Sequence, residues 1–281
     1  MQKLIFLDLD GTLVNSNGVI TPKSHEAIKN ARINGHRIFI CTGRSENEVF
    51  NDVLSVGFDG MIYSNGAHVI ADNKVIFQSV FQLEEMIEVN AFMQQHDIVY
   101  SVQNKAGLSA SKEYIAAFEK IAESKSAKIA DEEQAIAFQQ HVINVRQALH
   151  YSPELVQENV SNISFIAKNQ QGVDLLVERY QKKFEVYQNV VPIFGECSGE
   201  IGMKGITKGL GIQKIADYYQ VDIQNTVGIG DGVNDLPMFQ KVALSISMGN
   251  ASDFVKQHST ITTKSITEDG LYWAFKDIGV I

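Results

Sequence analysis

Four apolar residues, Leu4 to Leu7, run without a break into Asp8-Leu9-Asp10-Gly11-Thr12. A run so short and uniform predicts a strand covered on both faces, as in a parallel sheet. Thr21-Pro22 predicts a helix start, since Thr caps free N–H groups and Pro suits the first turn. Ala27, Ile28 and Ala31 give that helix an apolar face, Gly35 closes it, and His36 to Cys41 predicts the next strand. Ser45 and Glu48 have capping-box spacing and predict a second helix carrying Val49, Val53 and Leu54. Met61 to Ser64 predicts a third strand, after which Asn65-Gly66, Ala67 to Ala71, Asp72-Asn73 and Val75 to Phe77 read as a small hairpin.

From about Leu83 to Val190 the alternation gives way to long helices, such as Lys112 to Ser126, mixed with strands at Ile98 to Val102 and Asn162 to Ala167. That change predicts an inserted α+β module. Alternation is expected to resume with a strand at Glu200 to Met203, a helix from Thr207 to Tyr219, the strand Thr226 to Ile229 and a helix from Asn234. Short strands at Ala243 to Ser247 and Thr260 to Thr262 and a helix from Gly270 to Lys276 complete the pattern. The expectation is an α/β core with a mostly parallel sheet, formed by residues 1–82 and 191–281, interrupted by an α+β domain at 83–190.

Composition narrows the partners. With 24 Lys+Arg against 33 Asp+Glu, the formal charge of -9 disfavours nucleic acid and anionic membrane surfaces. A small-molecule partner is therefore expected. Two cysteines, Cys41 and Cys197, are too few for a disulfide framework and form no CxxC pair, which fits a reducing cytoplasm. No apolar run approaches the length of a signal peptide core or a membrane span.

Three acids stand just beyond the carboxyl ends of apolar strands: Asp8 and Asp10 after the first, and Asp231 after Thr226 to Ile229. That edge of an open parallel sheet is where ligands bind. Three hard oxygen donors there suit Mg²⁺, although Asp beside Gly is also an ordinary turn former. Together, Asp8-Leu9-Asp10-Gly11-Thr12, Thr42-Gly43-Arg44, Lys208 and Gly230-Asp231-Gly232-Val233-Asn234-Asp235 resemble, in order and spacing, the four motifs of the haloacid dehalogenase superfamily. Asn65-Gly66-Ala67, Pro237-Met238, Gly249-Asn250-Ala251 and Glu268-Asp269-Gly270 extend the resemblance to its Cof-like branch, whose type IIB cap lies between the second and third motifs.

The resemblance implies a Rossmann-like three-layer core, a specificity-determining cap, and a Mg²⁺-dependent phosphatase of small metabolites such as sugar phosphates. Asp8 would be the nucleophile that forms an aspartyl-phosphate. Asp10 would act as general acid and base. Asp8, the backbone carbonyl of Asp10, and Asp231 would hold Mg²⁺. Leu9, Thr42, Gly43, Lys208 and Asn234 would bind phosphate, with Asp235 orienting Lys208 and the metal waters.

Other readings carry less. Gly228-Ile229-Gly230 lacks the remaining glycine and the later acid of a dinucleotide loop. The 7 histidines form no close metal-ligand pair. Lys204 is an alternative to Lys208. Arg44 could form either a phosphate fork or an internal ion pair. Tyr100, His150 and Tyr151 read as packing residues before substrate contacts. A phosphomutase using the same chemistry and a non-catalytic binder of phosphorylated ligands remain alternative functions. The chain is expected to be a monomer or weak homodimer.

Overall fold

All of β1 (Leu4–Leu7) is fully buried, with its side chains divided between two apolar layers. The computed structural model describes residues 2–15, 18–49, 51–188 and 192–281. After β1 come α1 (Pro22–Ile33), β2 (Arg37–Cys41), α2 (Asn51–Leu54), β3 (Gly60–Tyr63), β4 (His68–Ala71) and β5 (Lys74–Gln78). An interruption contains α3 (Leu83–Gln95), β6 (Val99–Asn104), β7 (Gly107–Ala110), α4 (Lys112–Ser126), α5 (Glu132–Ala148), β8 (Leu149–Tyr151), β9 (Asn162–Ile166), α6 (Gln170–Tyr180), β10 (Phe184–Gln188) and β11 (Ser198–Met203). The first pattern then resumes with α7 (Lys208–Tyr219), β12 (Thr226–Gly230), α8 (Leu236–Lys241), β13 (Leu244–Ser247), α9 (Asp253–Gln257), β14 (Ile261–Thr262) and α10 (Gly270–Asp277).

The chain divides into two units, one of Met1–Arg44, Val49–Gln78 and Ile206–Ile281, the other of Ser45–Glu48 and Ser79–Gly205. In the first, the strand order is β14-β13-β12-β1-β2-β3-β4-β5. Pairings from β14 through β3 are parallel, and the β3–β4 and β4–β5 pairings are antiparallel. Ile5 and Leu7 pack among Ala27, Ile28 and Ala31 of α1 and Leu271, Ala274 and Phe275 of α10. Leu4 and Phe6 pack on the opposite face with Ile212 and Ile215 of α7 and Met238 of α8. This two-residue alternation makes a three-layer α/β core. Thr21 caps α1 as its sequence predicts, its Oγ1 accepting from Ser24 N at 3.2 Å.

The second unit has the strand order β10-β11-β9-β6-β7-β8, antiparallel except for β7 with β8. Val102, Ile163, Phe165 and Ile201 pack with Met86 and Val89 of α3 and Val173 and Leu176 of α6. A separate cluster gathers Tyr114, Ile115 and Phe118 of α4 with Leu149 and Ile166.

Three expectations are revised. The strand at Glu200 to Met203 does not resume the core sheet. It lies within β11, whose backbone bonds to β10 and β9 place it in the second sheet. The expected boundary at 190/191 lies outside the described residues at 190 and 191. Phe81, expected in the core domain, is buried in the second unit's cluster, and its N–H donates to Val160 O at 2.8 Å. The helix expected from Ser45 is broken into a 3-10 turn at Glu46–Glu48 and the short α2, which carries Val53 and Leu54, with Ser45 N donating to Glu48 Oε2 at 2.8 Å. Phe50, inside that expected helix, is outside the described residues. Both cysteines are free, and no described helix is long and apolar enough to cross a membrane.

Candidate active site

Strands β1 and β12 run parallel with Leu7 opposite Ile229, so both deliver the next residues, Asp8 and Asp231, to one edge of the sheet. Asp8 N donates to Ile229 O at 2.9 Å, extending the pairing to the acid itself. Thr207 caps α7 by accepting from Leu210 N at 3.2 Å, which sets Lys208 in the first turn. Lys208 Nζ donates to Asp8 Oδ1 and to Asp235 Oδ1, each at 2.6 Å, and its side chain has 0% exposure. The other lysine, Lys204, donates to Gln181 O at 3.1 Å within the second unit.

Asp235 is occupied from both ends: Oδ1 accepts from Lys208, while Oδ2 accepts from Asp231 N at 3.0 Å and Gly232 N at 2.9 Å. It therefore organises the turn and holds the ammonium. Asp231 Oδ1 accepts from Thr12 Oγ1 at 3.0 Å, and its Oδ2 accepts from Asn250 Nδ2 at 3.2 Å. Gly11 makes that approach possible, because a Cβ there would lie 2.3 Å from Asp231 Oδ2 and its φ is +83°.

Carboxylate oxygens of Asp8, Asp231 and Asp235 all lie within 4.8 Å of one another. Burial, and then the charge of Asp235, push Asp8 well above its ordinary value, with Lys208 opposing. Burial pushes Asp231 up to about 6, with the Thr12 hydrogen bond opposing and the Asp235 charge adding to the rise. Burial also disfavours the Lys208 charge, but Asp235 and Asp8 outweigh it and hold the ammonium protonated. Three carboxylates against one ammonium leave excess negative charge in a poorly solvated place. A hard-oxygen set of this kind fits a divalent cation.

Thr42 is buried at the end of β2, its N–H donating to Ile62 O at 2.8 Å and its Oγ1 accepting from Arg44 N at 3.1 Å. Gly43 lies against Asn65, where a Cβ would sit 3.2 Å from Asn65 Oδ1. Leu9 is buried, and its carbonyl accepts from Leu13 N at 3.0 Å and Val14 N at 2.9 Å. Asn234 is exposed beside the Asp231 turn. The Asp10 side chain is 56% exposed and forked by Arg44, whose Nε reaches Oδ2 at 2.9 Å and Nη2 reaches Oδ1 at 2.6 Å. Arg44 thus makes the ion-pair alternative. Tyr100 is buried with its hydroxyl donating to Asn90 Oδ1 at 2.7 Å, and exposed Tyr151 lies under Lys112, 5.1 Å from ring centroid to Nζ.

The contacts of Thr12 and Asn250 to Asp231 are absent from the sequence reading. Both residues stand in motifs that carry the resemblance, but nothing local marks a side chain that bonds 219 or 19 positions away.

The family model for haloacid dehalogenase-like hydrolase matches residues 5–275. A relative from Bacillus subtilis, the 5-amino-6-(5-phospho-D-ribitylamino)uracil phosphatase YwtE, is 28% identical and aligns over 96% of this chain and 96% of its own. The phosphatase YwpJ of the same organism is 22% identical over 99% of this chain and 100% of its own. In fold, the chain is similar to a HAD subclass IIB sugar phosphatase, with a TM-score of 0.75, 24% identity and coverage of 99% and 100%. A phosphatase of the same superfamily from Bacteroides thetaiotaomicron gives 0.77 at 22% identity, covering 100% and 96%. With a family match across nearly its whole length and acids clustered at the strand ends, this chain belongs to the haloacid dehalogenase-like hydrolases.

Proposed function

We propose that this hydrolase is a divalent-metal-dependent phosphatase of a small phosphorylated metabolite, such as a sugar phosphate. The observation that carries this reading is the buried Asp8–Lys208–Asp235 chain beside Asp231 at the carboxyl edge of the sheet. Phosphatase names among the relatives supply the reaction class. The ion would be held by Asp8, Asp231 and the backbone carbonyl of Asp10, with Mg²⁺ the proposed occupant. When bound, it would screen the repulsion between anionic Asp8 and an anionic phosphoryl group.

The chain's residues divide the reaction into two displacements. An Asp8 oxygen bonds to phosphorus as the ester P–O bond breaks, and the Asp10 carboxyl, released from the Arg44 fork and protonated, passes its proton to the departing alkoxide. Asp10 then takes a proton from water, whose oxygen displaces Asp8 from phosphorus and releases inorganic phosphate. Lys208 supplies a fixed positive charge beside the nucleophile, and Thr42, Gly43 and the Leu9 N–H are assigned to the phosphoryl oxygens. Asn234 is assigned to phosphate, and Asp235 keeps Lys208 in place. The inserted unit is assigned to substrate choice. Two free thiols support a reducing, cytoplasmic setting.

Phosphate release from a panel of sugar phosphates, nucleotides and phosphorylated cofactors tests this reading. Asp8→Asn should lower turnover by at least a thousandfold, and chelation should abolish it until Mg²⁺ is restored. Undiminished release in either arm refutes the mechanism, and isomerised substrate without free phosphate would identify a mutase.

A further inference from the structure

Asn250 lies on the turn after β13 and uses its amide on three sides. Its Nδ2 donates to Gly11 O at 2.9 Å and to Asp231 Oδ2 at 3.2 Å, and its Oδ1 accepts from Ile266 N at 2.9 Å. The Ile266 contact fixes the amide's orientation, because only the oxygen can accept from an N–H. The nitrogen must then face Asp231. Two protons on one nitrogen join the loop after β1 to the carboxylate after β12, while the oxygen ties both to the 3-10 turn at Ile266–Glu268. Thr12 takes the other Asp231 oxygen at 3.0 Å, and Gly11 closes against the same carboxylate. With a donor on each oxygen and backbone on one side, the carboxylate is confined to one orientation.

We propose that Asn250 is a positioning residue that, with Thr12, presents the Asp231 carboxylate to a divalent cation in a fixed orientation. The inference rests on the metal site proposed above. A partner that orients a ligating carboxylate typically changes metal affinity 10–100-fold when removed. Because Asn250 is itself exposed, its loss should be felt at the ion more than in the fold.

The test is Mg²⁺ titration calorimetry of the purified, EDTA-stripped full chain without substrate, for wild type, Asn250→Ala and Asp231→Asn. Asn250→Ala should weaken Mg²⁺ about tenfold and raise the Mg²⁺ concentration for half-activation by the same factor. Its kcat at saturating Mg²⁺ should stay near wild type, and its metal-free unfolding midpoint should hardly move. Weakened binding in Asp231→Asn with unchanged binding in Asn250→Ala overturns the positioning role and leaves the metal site standing. A lowered metal-free midpoint with unchanged affinity marks a purely structural amide and overturns it equally. Unchanged binding in Asp231→Asn overturns the metal site itself, and the proposal with it.

Discussion

Lys208 balances Asp8 and Asp235 while exposing none of its side chain, so its removal leaves two enclosed carboxylates without their shared cation. Lys208→Met should cost about 3–5 kcal/mol at neutral pH, the usual consequence of breaking a buried pair from one side. Burial raises the Asp8 pKa, so the folded chain tolerates protonated Asp8 better than charged Asp8. That contribution is fully present below the unfolded value of 3.8 and fades as pH climbs through the folded one. The Lys208→Met deficit should therefore shrink as pH falls toward about 4, as urea unfolding of metal-free protein at several pH values would measure. Glu200 offers a parallel test in the second unit. Part of the residue is exposed, but its carboxyl is enclosed; burial, and then the Glu48 charge against the Asn162 bond, raise its pKa. Glu200→Gln keeps an acceptor for Asn162 Nδ2, which lies 3.0 Å from Glu200 Oε2, and should stabilise the chain at neutral pH. The gain should disappear near pH 4 in thermal unfolding. At this scale the sequence made Asp8, Asp10 and Asp231 conspicuous through their positions beyond strand ends, whereas Thr42 and Lys208 stood out only through the resemblance to the haloacid dehalogenase motifs. It did not disclose that Arg44 would fork Asp10 or that Asn250 would reach Asp231, since such pairings depend on folded proximity.

Among the elements, the turn before β4 bears directly on α7. Gly66 has φ +108°, and a Cβ there would lie 2.1 Å from the carbonyl oxygen of Thr207, the residue that caps α7 and precedes Lys208. Gly66→Ala should destabilise the chain by about 1–3 kcal/mol and lower turnover, measured by urea unfolding and phosphate release. Wild-type values for both would show that the turn can yield without moving the helix start. Most elements of the core were legible because apolar runs and capping residues are local. Strand β11, SGEIGM, shows why membership in a sheet is not: its own pattern has no strong apolar run, and the partners β9 and β10 decide where it belongs. The Glu48 half of the Ser45 capping box forms: Glu48 Oε2 accepts from Ser45 N and is shared by Gln103 at 2.9 Å, while Glu48 N donates to the Ser45 carbonyl in a 3-10 turn.

Across the whole molecule, the two units have separate apolar interiors: Ile5, Leu7 and Phe275 lie in one cluster of the first, and Phe81, Phe165 and Leu176 in one of the second. Residues 79–205 expressed alone should therefore give a single cooperative thermal transition with native-like circular dichroism; a broad, non-cooperative melt would show dependence on the rest of the chain. The interruption was visible in sequence as a change of periodicity near Leu83, but its edges were not. A boundary is set by which core a side chain enters, and Phe81 gives no local sign of that choice. Ser45–Glu48 adds a consequence for chimera design. This short strip follows Thr42-Gly43-Arg44 but groups with Ser79–Gly205, with Lys105 Nζ 3.4 Å from Glu46 Oε2. The inserted unit is therefore not a single cassette: a graft exchanging only 79–205 with a homologous enzyme would leave Glu46 and Glu48 facing foreign neighbours, so residues 45–48 should be transplanted with it.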